Sequence, residues 1–253
     1  MTQEEKAQRF RALHSKSEPI VLYNIWDAGS TRAVTDAGAK AIATGSWSVA
    51  AANGYQDGQK MPLDLALGVA SMIVASTDLP VTVDFEGAYA SHPKDVAHNV
   101  ALLMQTGAVG LNFEDQIVGG QGIHSIETQT ARIQAARDVA RIGDAPAVIN
   151  ARTDLFLQEN DARKHVDLVA DAINRANAYS DAGADCFFIP GLVDTTLIGE
   201  ICATVALPVN VMVADINTDL SSIVKTGVAR ISFGPAPYFA AMAQIKTAAE
   251  NAL

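Results

Sequence analysis

PVTVDFEG, residues 80–87, is the stretch whose reading decides the fold. Its Val, Thr and Phe residues make a short β-favouring run without polar alternation. Such a strand is buried on both faces, as in parallel sheets covered by crossover helices. The run carries two carboxylates, Asp84 and Glu86, to its C-terminal end. Two residues apart on an extended chain, they share a face. Other strands end in the same way: LNFED brings Glu114 and Asp115, VINARTD brings Arg152 and Asp154, and the stretch after AIATGS brings Asp57.

Outward from this strand, β-rich runs alternate with longer helical stretches eight times, from IVLYNIWD (20–27) through AIATGS, PVTVDFEG, GLNFED, AVINART, CFFIPG and PVNVMV to RISFGP (230–235). Each run precedes a helical segment, and five of the first seven segments end in glycine, the preferred helix C-cap. Eight β/α units predict an α/β fold of the (β/α)8 TIM-barrel type, as one domain over residues 1–253 with an N-terminal helical extension at 1–18. The alternative, a doubly wound open sheet, more often carries a glycine-rich phosphate fingerprint after its first strand, and NIWDAGS is not that motif.

The chain has 253 residues, 28 acidic against 18 basic, for a formal charge of −10. That excess disfavours nucleic acid or an anionic membrane surface as a partner, and an anionic substrate would need a local metal or arginine. No apolar run is long enough to span a membrane, and the charged start MTQEEKAQRFRALHS is unlike a secretory signal, so a cytoplasmic location is expected. The two cysteines, Cys186 and Cys202, have no CxxC spacing and predict neither a disulfide framework nor a structural zinc.

In a barrel, residues at strand C-termini converge on one mouth. Asp84, Glu86, Asp57 and Glu114 then form a hard-oxygen set without histidines, which favours Mg2+, with Mn2+ as the alternative, over zinc. Asp84 is the expected direct ligand, with the other acids holding coordinated waters. Taken singly, each acid reads more readily as a helix cap or a solvated loop charge, and it is the convergence of four that favours a metal set. Arg152 presents a planar fork for a carboxylate or phosphate, or else forms an ion pair with Glu114 or Asp154. Gly45, Ser46, Trp47 and Ser48 follow the second strand and could offer backbone N–H groups to an anion, with Trp47 as a wall or as plain packing. QIVGGQGIHSIE, 116–127, has three glycines and reads as a mobile lid carrying His124, a general acid or base or a surface histidine, with Ser125 capping the next helix.

NIWDAGS, KAIATGSWSVAAANGYQDG, PVTVDFEGAYA, GAVGLNFEDQ, VINARTDLFL, AGADCFFIPG, PVNVMV and RISFGPAPYF, in this order over about 20–245, resemble the isocitrate lyase and phosphoenolpyruvate mutase superfamily. The resemblance implies a (β/α)8 barrel, bound magnesium, and an α-keto acid or enolate beside which a C–C or P–C bond is made or broken. It makes Asp84 the direct metal ligand, puts Asp57, Glu86 and Glu114 on metal waters, and sets Arg152 and the Gly45–Trp47 turn on the substrate carboxylate. Asn210 is a further pocket candidate. The lyases of the family carry a K-K-C-G-H lid and its phosphonomutases a K-x-N-S lid. VGGQGIH is neither, and Cys186 opens the sixth strand, away from the mouth.

The expectation is therefore a Mg2+-dependent C–C lyase or hydrolase acting on a small 2-oxo or 2-hydroxy (di)carboxylic acid through a stabilised enolate, with Arg152, His124 and Glu114 catalytic. The alternatives are a P–C mutase or hydrolase on a phosphonopyruvate-like substrate, and a noncatalytic keto-acid binder. The resemblance also implies a homodimer or homotetramer with the eighth helix exchanged.

Overall fold

A computed structural model describes residues 1–253. Eight parallel strands form the barrel: β1 (Ile20–Leu22), β2 (Ile42–Ala43), β3 (Val81–Asp84), β4 (Gly110–Glu114), β5 (Val148–Arg152), β6 (Cys186–Phe188), β7 (Val209–Met212) and β8 (Arg230–Ser232). Hydrogen bonding runs β1-β8-β7-β6-β5-β4-β3-β2 around the barrel. A single parallel bridge between Ile25 and Thr44 closes the seam, with Ile25 N–H donating to Ala43 O at 2.9 Å and Gly45 N–H to Ile25 O at 3.2 Å. Strand residues are almost uniformly buried, as expected where a packed interior lies on one side and helices on the other. The fold class read from the sequence is therefore the one observed.

The N-terminal helix is shorter than expected, Gln3–Ala12 rather than 1–18. Beyond it, Ser15 and Ser17 hydrogen-bond to one another and Ser17 N–H donates to Ser15 Oγ, a local alternative to helical bonding, and Pro19 follows. The helix covers the N-terminal end of the barrel. Gln3 donates to the carbonyls of Met104 and Ala108, and Phe10 is fully buried. Two further boundaries differ. The helical segment between β4 and β5, expected to run to a capping glycine, stops at Val139 and turns into a small hairpin of Arg141–Ile142 against Ala145–Pro146. The stretch after β2, read as turn and loop, contains a helix, Ser46–Ala52. No helix is long and apolar enough to cross a membrane.

Candidate active site

β3 ends at Asp84, and the chain leaves it through a contorted turn. Glu86, Ala88 and Tyr89 all have left-handed φ, 49°, 59° and 55°, which is strained backbone for residues with a Cβ. Neighbouring side chains hold the turn in place. Arg132, almost wholly buried, donates from Nη2 to Gly87 O (2.8 Å) and Ala90 O (3.0 Å), while Asn99 Nδ2 donates to Ala88 O (2.9 Å). Glu86 is thereby turned inward, where its Oε2 accepts from Gln59 N–H at 2.7 Å. Burial, with Asp57 and Asp84 adding repulsion, pushes its carboxyl up to about 8.

Asp84 meets the chain of the preceding unit. Its Oδ2 accepts from Ser46 N–H at 3.1 Å and its own N–H donates to Thr44 Oγ1 at 2.8 Å. Its other oxygen, Oδ1, is buried and has no hydrogen-bond partner. Asp57 sits beside it, its pKa raised by desolvation and then by the Asp84 charge. On β4, Glu114 is raised by burial, opposed by the Arg152 guanidinium 2.9 Å from its Oε2. Arg152 ends β5 and forks onto Asp154, Nε to Oδ1 at 2.6 Å and Nη2 to Oδ2 at 2.9 Å. Both ion pairs anticipated for it are present. Asp154 takes two of its five N–H groups, and Nη1 faces Glu114 as an ion pair.

Asp57, Asp84, Arg152, Gly45, Ser46 and Trp47 line one cavity of about 140 Å³ at the barrel mouth. Glu86 and Glu114 stand behind its wall rather than in it. Five carboxylates thus surround one guanidinium, a strongly negative environment suited to a cation. No three acids are gathered closely enough to ligate one ion together. The unpartnered Asp84 Oδ1 fits a magnesium-type ion that takes one carboxylate directly and keeps waters facing the rest.

Some expectations need correction. The Gly45 and Ser46 amides already donate to Ile25 O and Asp84 Oδ2, so they have no N–H to offer an anion. The first-turn amides that the Ser46–Ala52 helix leaves without an internal acceptor are those of Trp47 and Ser48. Asn210 is fully buried and outside the cavity lining; its Oδ1 accepts from Ser232 Oγ, and Met212, one pleat further along β7, lines the cavity instead. His124 borders a neighbouring cavity with Gln59, Tyr89, Gln116 and Arg132. Its pKa is lowered by desolvation and then by Arg132. The expected lid is a closed hairpin: Gln116 bridges Ile123, and Ile117 N–H donates to Gly122 O at 3.0 Å.

Several lining residues went unread, two asparagines among them. Asn112 and Asn24 both line the cavity. Asn112 pairs with Asp84 in the β3–β4 register, and its Oδ1 accepts from Asn150 Nδ2 (2.8 Å) and Arg230 Nη2 (3.1 Å). Asn24 Oδ1 accepts from Phe233 N–H (2.9 Å) and Gly234 N–H (3.0 Å), and its Nδ2 donates to Thr44 O (2.8 Å). A polar residue at an interior strand position was the signal for the first. The second lay in NIWD, none of whose residues was read as part of a site.

A family profile described as phosphoenolpyruvate phosphomutase matches residues 10–253. The chain belongs to the isocitrate lyase and phosphoenolpyruvate mutase superfamily. Within that superfamily, the uncharacterized protein Rv1998c of Mycobacterium tuberculosis is 32% identical over 92% of this chain and 84% of its own length. The 2-methylisocitrate lyase of Escherichia coli K12 is 29% identical over 83% of this chain and 70% of its own. A crystal structure from Burkholderia cenocepacia, provisionally named a phosphonomutase, is 43% identical with a TM-score of 0.95 over 99% of this chain and 100% of its own.

Proposed function

We propose that this protein is a Mg2+-dependent lyase or hydrolase that cleaves a C–C bond in a small 2-oxo or 2-hydroxy acid, with Mn2+ as an alternative ion. The observation that carries the reading is Asp84, whose Oδ1 is buried without a partner in the wall of a cavity that also holds Arg152. Asp84 would hold the ion directly, and Asp57, Glu86 and Glu114 would hold its waters. When bound, the ion supplies a hard Lewis acid for negative charge developing on substrate oxygen.

The chain's own groups do the rest. The N–H groups of Arg152 that Asp154 leaves free receive the substrate carboxylate, and Glu114 and Asp154 fix the plane of the guanidinium. Trp47 closes one side against water. For His124 to move a proton, the 116–123 hairpin must carry it from the adjacent cavity into this one. The likeness to 2-methylisocitrate lyase supports C–C chemistry. P–C chemistry on a phosphonopyruvate-like acid is the second reading, favoured by the name of the Burkholderia structure.

The last helix, Ala236–Ala252, buries only Ala236 and Pro237 and leaves Phe239 and Ile245 exposed, which supports a homodimer or homotetramer. The test of function is incubation of wild type and Asp84→Asn with Mg2+ and a panel of 2-oxo, 2-hydroxy and phosphono acids, read by mass spectrometry. Metal-dependent turnover by wild type alone is expected. Equal turnover by Asp84→Asn would overturn the metal assignment, and oxalate binding without any turnover would favour a noncatalytic binder.

A further inference from the structure

Asn112 lines the cavity between its metal end and its arginine end. It is paired in register with Asp84 on one side and with Asn150, two residues before Arg152, on the other. Its Oδ1 accepts from Asn150 Nδ2 at 2.8 Å and from Arg230 Nη2 at 3.1 Å. Both donors are fully buried and outside the cavity lining, so the oxygen is turned away from the cavity, into the barrel. The corner of the amide left to face the cavity is Nδ2. Asp84 beside it does not accept from it: Oδ2 takes Ser46 N–H, and Oδ1 has no partner.

Arg230 settles which way round this amide lies. A guanidinium only donates, so the Asn112 atom that meets it is the oxygen. Asn150 conforms by presenting Nδ2, at the expense of its own Oδ1, which is buried without a partner. An arginine is unusual here, because branched apolar side chains dominate the interior of such barrels. Arg230 is fully buried, and burial lowers its pKa to about 10, which leaves it a cation at neutral pH. Its side chain makes one hydrogen bond, to Asn112. Nε and Nη1 have no partner, and the nearest aromatic face, Phe10, has its centroid 6.0 Å from Cζ. A buried charge so thinly held costs stability, and an apolar side chain of similar length would cost less. What Arg230 supplies in return is the fixed orientation of Asn112.

Resting on the reading of this cavity as a keto-acid site, we propose that Asn112 is a substrate-binding residue whose Nδ2 donates to the oxygen on the carbon next to the substrate carboxylate, and that Arg230 is the positioning residue that holds the amide in that sense. Arg152 takes the carboxylate, the free oxygen of Asp84 takes the ion, and the oxygen between them meets an uncharged donor. An asparagine provides that donor without setting a second cation beside the metal position. With the amide reversed, Oδ1 would face the substrate oxygen and repel it.

The test is calorimetric titration with oxalate, whose second carboxylate supplies the oxygen in question, on Mg2+-loaded wild type, Asn112→Ala, Arg230→Met and the double variant. Mg2+ is titrated separately without oxalate. Asn112→Ala should bind Mg2+ as wild type does but oxalate about tenfold more weakly or worse. Arg230→Met should weaken oxalate similarly, Arg230→Lys should recover most of the loss, and the double variant should be no weaker than Asn112→Ala alone. Asn112→Val and Arg230→Gln are read in the same way should either first variant fail to fold. Wild-type oxalate binding matched by Asn112→Ala overturns the proposal and leaves the keto-acid site standing. An Arg230→Met loss that persists in full in the Asn112→Ala background shows action through charge or stability and overturns the positioning role. Failure of wild type to bind oxalate overturns both the proposal and the keto-acid reading.

Discussion

Arg152 and Asp154, two residues apart at the end of β5, form a two-pronged ion pair, with Nε and Nη2 of the guanidinium on the two carboxylate oxygens at 2.6 and 2.9 Å. The fork fixes the plane of the guanidinium, and with it the direction of the remaining N–H groups. Asp154→Asn keeps one acceptor and loses the charge, so the expected effect is about tenfold weaker oxalate binding, roughly 1.4 kcal/mol. Arg152→Lys should cost more, because an ammonium cannot serve Glu114, Asp154 and a ligand in one plane. Neither change should move Mg2+ affinity as far as Asp84→Asn does. Titrations of metal and of oxalate, made separately, check this.

Glu86 gives the pH dependence. Its folded pKa, about 8, lies above the ordinary 4.5, so without metal the folded state holds a proton that the unfolded state has lost between those values. Its contribution to stability is therefore fully present below about pH 4.5 and is lost as pH rises through about 8. A divalent cation competes with that proton, so Mg2+ binding should tighten from pH 6 to about 8 and release protons. Calorimetry in buffers of different ionisation enthalpy measures the release. Glu86→Gln should abolish most of it, and the metal-free melting temperature should then fall less as pH rises.

The barrel and the position of Asp84 were legible because both depend on short-range pattern: apolar runs of strand length, several ending in charged residues, each followed by a helix. Arg152 was legible as a residue, but its two partners remained a choice until the turn after β5 placed Asp154 beneath it. His124 and Asn210 were misplaced for different reasons. The hairpin at 116–123 directs its stem residue to a neighbouring cavity, and the pleat of β7 gives the cavity to Met212 rather than Asn210. The left-handed backbone at Glu86 and Tyr89 carries no glycine to announce it. It persists because Arg132, more than 40 residues away, holds the carbonyls of Gly87 and Ala90.

Asn24 should matter to stability more than a lone loop asparagine would. It joins the ends of β8 and β2 across the seam where β1 and β2 share a single bridge. Asn24→Ala strands two amides and a carbonyl. At about 1–3 kcal/mol for each unsatisfied buried group, with partial relaxation, the expected loss is about 2–4 kcal/mol in denaturant unfolding. Asn24→Asp retains the acceptor for Phe233 and Gly234 and should lose less.

Asp115 ties the hairpin stem to the body of the barrel. Its carboxylate accepts from Tyr179 Oη at 2.8 Å, Arg175 Nη1 at 3.2 Å and Asp154 N–H at 3.0 Å, and its carbonyl accepts from His124 N–H at 2.7 Å. Arg175 also donates to His124 O at 2.9 Å, so both sides of the stem hang on one buried ion pair. Asp115→Asn should cost about 3 kcal/mol, because it breaks the buried pair and leaves Arg175 only the more exposed Asp171, 3.4 Å from its Nε. Tyr179→Phe removes two hydrogen bonds, the one its hydroxyl donates to Asp115 and the one it accepts from Arg175 Nη1 at 3.0 Å, and should cost about 1–3 kcal/mol. The two losses should not add, because both act on the same carboxylate. A local readout separates this role from general stability: in Tyr179→Phe, amide exchange at Gln116–Ile123 should quicken more than in the β3 core. Equal acceleration throughout would show that the network stabilises the barrel without anchoring the hairpin.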